Sequence, residues 1–113
     1  MEEAMLFSYG DGVYIEGEKN LKGEIILGEH KLYLKGPQGD LAATYIPLEK
    51  IVKIQKKVGG FAVFVRTTLT VSYTAVLKGG KHINSLLKDL VQRRGLKKRF
   101  LRREWVDINE IIK

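Results

Sequence analysis

The feature that most constrains the fold of this 113-residue chain is a change of period near residue 80. Before it, apolar side chains recur at every second position, the repeat of a strand with one buried face. After it, Ile83, Leu86, Leu87, Leu90 and Val91 fall at spacings of three and four, the repeat of a helix with one apolar stripe. A chain patterned this way builds a sheet first and then lays a helix on it.

The first part divides at its turn signals. "MLFSY" and "VYIEG" flank "GDG", which predicts a hairpin because Asp-Gly tolerates positive φ. In "KGEIILGEHKLYLKG", Ile25, Leu27, Leu32 and Leu34 alternate on either side of Gly-Glu-His, a second hairpin. "GPQGD" reads as a loop. Pro47 cannot donate to a ladder, so it predicts a strand end or an edge before the strand of Ile51 and Ile54. "FAVFVRTTLTVSYTAVLKGG" supplies two more strands, rich in β-branched and aromatic residues.

The helix spans 81–94, and Gly95 after Arg93 and Arg94 is its natural stop. A second helical pattern runs over 97–112. On a wheel, Phe100, Leu101, Trp105, Ile108, Ile111 and Ile112 share an arc of about 140°, with the cations outside it. Val106 alone among the apolar residues falls off the arc. The expectation is six or seven strands and two C-terminal helices: a domain over 1–95 and a basic amphipathic helix over 96–113.

Composition excludes several classes. With 44% hydrophobic and 29% charged residues, the chain is neither disordered nor a membrane span. The absence of cysteine removes disulfides and thiolate chemistry. The first residues, "MEEAML", lack the basic start of a secretory signal, so a cytoplasmic location is expected. His30 and His82 have no partners at metal-ligand spacing, and no P-loop, G-x-S-x-G or H-E-x-x-H motif occurs. Neither catalysis, nor a cofactor, nor a metal is expected.

Charge is the functional signal. Residues 1–49 hold four lysines against nine carboxylates, and residues 50–113 hold sixteen cations against four. Seven cations lie in "QRRGLKKRFLRREW": Arg93, Arg94, Lys97, Lys98, Arg99, Arg102 and Arg103. With Trp105 they form the expected binding ridge for a protein with an acidic surface. Phe100, Leu101, Trp105 and Ile108 would anchor the helix on its own domain or on a second copy. Two alternatives stay open. A basic amphipathic helix with Trp suits an anionic membrane, and dense cations attract nucleic acid, although few aromatic residues are available for stacking.

The order of elements resembles the pleckstrin-homology-like superfold, a small antiparallel barrel or sandwich capped by a helix. Lipid-binding members of that superfold carry a basic loop between their first two strands. The matching stretches here, "YIEGEKNLKGE" and "LGEHK", mix lysine with glutamate and contain no arginine, which weighs against a phosphoinositide pocket. Within the superfold, "GEIILGEHKLYLKGPQGDLAATYIPLEKIVKI" followed by "HINSLLKDLV" and a basic stretch is similar to the N-terminal part of the CheF family of archaeal taxis adaptors. That resemblance implies a non-enzymatic adaptor linking taxis signalling proteins, a phosphorylated response regulator among them, to the archaellum motor.

Overall fold

Alternation does produce strands, and their buried halves meet in one core. The computed structural model describes residues 6–36, 44–99 and 103–107. Its elements are β1 (Phe7–Glu16), β2 (Lys19–Leu27), β3 (Lys31–Lys35), β4 (Thr44–Pro47), a single 3-10 turn (Leu48–Lys50), β5 (Ile51–Lys57), β6 (Gly60–Arg66), β7 (Ser72–Lys78), α1 (Ile83–Arg94), β8 (Lys97–Lys98) and β9 (Glu104–Val106). Every strand pairing is antiparallel, in the order β4-β3-β2-β1-β7-β6-β5-β9-β8. β1 holds the sheet together, because it pairs with β2 on one side and with β7 on the other.

The inward positions of both halves are apolar. Ile25, Leu27, Leu32, Leu34 and Ile46 come from β2–β4, and Ile51, Ile54, Phe61, Val63, Val65 and Leu77 from β5–β7. α1 lays Leu86, Leu87 and Leu90 on this cluster, with Ile83 and Val91 half-buried beside them. Each leucine so buried contributes about 1.5–3 kcal/mol relative to leaving it in water. The Tyr9 hydroxyl on β1 donates to Asp89 of α1 and fixes the helix from a second side. Gly95 ends the helix in the left-handed conformation at φ 73°. Its N–H reaches Val91 O at 2.9 Å, the Leu96 N–H reaches the same oxygen at 3.1 Å, and Leu96 is buried.

Three expectations give way. "GDG" is not a hairpin turn, since β1 runs straight through it. Ser8 pairs with Ile26 and Asp11 with Glu24, so β1 carries one extra residue there, a bulge with Gly10 at φ 80°. The turn between β1 and β2 lies at Gly17 and Glu18 instead. The sheet is also not closed into a barrel. β4 is four residues long and ends at Pro47, while β5 takes β9 rather than β4 as its second neighbour.

The second helix over 97–112 is the third. Its described residues form the β8–β9 hairpin, with Lys97 opposite Val106 and Lys98 opposite Trp105. The hairpin extends the β5 ladder through Lys56 N–H to Arg103 O at 2.8 Å and Asp107 N–H to Val52 O at 2.9 Å. Tertiary pairing overrides the helical spacing because it satisfies the β5 backbone and buries Val106, which a helix would have left on its polar side.

Candidate interaction face

Strand register decides where each cation points. Residues paired across an antiparallel sheet share a face, and alternate residues along a strand switch face. Ile51, Ile54, Val63, Val65, Ala75 and Leu77 face the core, so their neighbours face outward. One outward row runs across five strands: Thr74, Phe64, Lys53, Val106 and Lys97. The next row is Val76, Ala62, Gln55 and Glu104, with Arg99 joined to Glu104 by a backbone hydrogen bond of 3.0 Å. Lys57 and Lys78 flank Gly60 beyond it, and Arg66 pairs with Ser72 on the opposite side.

Among the described residues, this outer face of β5–β9 therefore carries Lys53, Lys57, Arg66, Lys78, Lys97 and Arg99 against one carboxylate, Glu104. That carboxylate is 3% exposed. Lys53 Nζ lies 3.3 Å from Glu104 Oε2, and Arg99 Nη1 lies 3.6 Å from Oε1. Glu104 so holds two cations in place without reaching the surface itself. The Lys53 ammonium also sits 4.4 Å from the centre of the Phe64 ring.

The cations expected to form one ridge are divided among different tasks. Lys97, Lys98 and Arg103 are exposed, and Arg99 is half exposed over Glu104. Lys97 and Arg99 belong to the outer face; Lys98, opposite Trp105, leans to the other side. Arg94 is structural: its Nε donates to Ile51 O at 2.8 Å and its Nη2 to Asp107. Arg93 donates from Nη1 to Gly28 O at 2.8 Å and stands 5.4 Å from the Phe7 ring centre. Trp105 is half-buried against the core, opposite Ile54, and so anchors the hairpin to its own domain. Arg102, Phe100, Leu101 and Ile108 lie outside the described residues.

Lys53, Lys57, Arg66 and Lys78 were not singled out from the sequence. The usable signal is the alternation of Lys53, Gln55 and Lys57 about Ile54; Ile51 joins the inner side only through the irregular register between Ile51 and Lys53.

The described residues hold no group of three or more His, Cys, Asp and Glu side chains able to bind a metal, and no helix among them is long and apolar enough to cross a membrane. His30 lies in the β2–β3 turn and His82 at the start of α1. No family model and no curated protein matches the chain. Among solved structures it is similar to the C-terminal domain of an unknown protein from Leishmania infantum, with a TM-score of 0.54 and 20% identity over 82% of this chain and 84% of that one. At that identity the likeness concerns the fold alone: a mainly β, antiparallel arrangement with a helix toward the C-terminus.

Proposed function

We propose that the chain is a non-enzymatic interaction module of pleckstrin-homology-like build, which docks a protein partner with an acidic surface. The fold reading is supported by two antiparallel meanders joined through β1 and β7, followed by an amphipathic helix on the core. The observation that carries the function is the outer face of β5–β9, with six cations and one buried carboxylate among the described residues. Such a face attracts acidic surfaces from a distance and orients them. The resemblance to the CheF family extends the proposal to archaeal taxis. There the partner would be a phosphorylated response regulator or another taxis protein, and the module a link toward the archaellum motor.

The test compares two triple variants. Lys57→Glu, Lys78→Glu and Lys97→Glu reverse the basic face; Lys22→Glu, Lys31→Glu and Lys35→Glu change the other half equally. Association with a purified, phosphorylated archaeal taxis response regulator is followed by surface plasmon resonance. The first triple is expected to slow association at least tenfold at low salt, and the second to change it little. Equal effects of the two triples would remove the face from the proposal. Flotation with anionic vesicles, without response-regulator binding, would replace the protein partner with a membrane.

A further inference from the structure

The basic face is not flat. Where β5, β6, β7 and β9 meet, it sinks into a groove of about 430 Å³. Phe64 and Val106 provide an apolar floor, and the Ser72 and Thr74 hydroxyls stand on the β7 side. Lys53, Arg66 and Arg99 bring three cations to the walls, and no described carboxylate lines the groove. Glu104, fixed under Lys53 and Arg99, keeps both side chains in position before any ligand arrives. Cations held this way lose less conformational entropy on binding than free lysines do.

We propose that this groove takes an extended acidic segment of the partner protein, with one large aliphatic side chain between two carboxylates. The proposal rests on the reading of the outer face as a protein-docking surface and names what the partner must present. Residues i, i+2 and i+4 of an extended chain point to the same side, about 6.5 Å apart. A segment of the form acid–x–aliphatic–x–acid thus directs all three side chains into the groove. The aliphatic group lies on Phe64 and Val106, and the carboxylates meet Arg66 on one side and Lys53 with Arg99 on the other. Charge-assisted hydrogen bonds from arginine to carboxylate supply the specificity. A nucleic acid fits less well. Among the described residues, Phe64 is the one aromatic ring on the outer positions of β5–β9, while Tyr73, which also borders the groove, packs largely on the core as Trp105 does, so bases find few rings to stack on.

The experiment uses the full chain and a fluorescent peptide centred on Glu-Ser-Leu-Ser-Glu, read by anisotropy. Thr74→Glu and Arg66→Gln are expected to weaken binding at least tenfold, and replacing the peptide leucine by serine about tenfold. Lys57→Glu and Lys78→Glu, on the same face but outside the groove, are expected to change it less than about threefold. Circular dichroism confirms that each variant folds, and Thr74 is exposed, so its replacement reports on the groove rather than on the core. If the serine peptide binds as well as the leucine peptide, or if the outer lysines matter as much as Arg66, the groove proposal fails while the docking face stands. If the peptide does not bind but a single-stranded oligonucleotide does, and Thr74→Glu abolishes that binding, both are overturned.

Discussion

The two halves of the sheet share one architecture and treat charge in opposite ways. On the outer face of β1–β4, Asp11 and Glu24 stand among Lys22, Lys31 and Lys35, and the pairs are local and solvated. Glu24 accepts from Ser8 and lies 3.9 Å from Lys35, with both charged side chains at least a third exposed. Lys31 sits 4.7 Å from the centre of the Tyr45 ring. On β5–β9 the one carboxylate is buried, and the cations around it outnumber it six to one. The first half neutralises itself at the surface. The second hides its counter-charge and keeps a field. A sheet needs only its inward positions to hold together, so the outward ones are free to become either a solvated wall or a recognition surface.

Breaking the architecture they share should have the largest effect. An ideal Cβ at Gly60 would lie 1.9 Å from Leu77 O, and one at Gly23 would lie 2.3 Å from Lys35 O. Gly60→Ala and Gly23→Ala are each expected to cost about 3 kcal/mol or more in urea unfolding, since backbone has to move. A small loss at one site and a large one at the other would show that the two meanders differ in rigidity as well as charge.

The carboxylates sharpen the comparison more directly. Glu104→Ala removes the buried partner of Lys53 and Arg99, but both cations are a third or more exposed and can turn to water, so about 2 kcal/mol of stability should disappear. Glu24→Ala removes an exposed pair and should cost below about 1 kcal/mol. Similar values for both would mean that Glu104 is no more than another surface charge.

The smallest effect lies where the first half meets the helix. Burial, and next the hydrogen bond and charge of Asp89, push the Tyr9 hydroxyl from 10.0 to about 12, with Arg93 opposing. The folded protein therefore keeps this proton when the unfolded chain has begun to release it. The stability tied to Tyr9 is complete below pH 10 and falls as the pH rises toward about 12. Tyr9→Phe should flatten part of that alkaline decline in thermal melts taken from pH 9 upward. Tyr14 and Tyr73, also raised chiefly by burial, act in the same direction.

Much of this fold was legible as period. Ile25 to Leu34, the Pro47 break, the strand of Ile51 and Ile54, and the stripe from Ile83 to Val91 all match the structure. Gly95 ends the helix as its position after two arginines suggested. Local chemistry misled at Asp11, where Asp-Gly fits both a turn and a bulge, and only pairing with β2 on both sides decides. It misled again after Gly95, where strands of two and three residues are too short to show a period. Val106, the residue that fitted the helical wheel badly, was the available clue. The face itself was hardest to read. Lys53 becomes a neighbour of Val106 only through register between segments distant in sequence.

That distance has a consequence in time. β5 meets β6 across a tight turn, but its other side waits for residues 104–106, which follow α1 in the chain. Pairing across so long a separation is slow compared with hairpin formation. While the molecule folds, β5 therefore presents an unpaired strand of Ile51, Val52 and Ile54 that another copy could extend. The few residues of β9 then protect the folding chain from self-association, and their contribution to yield should exceed their contribution to stability.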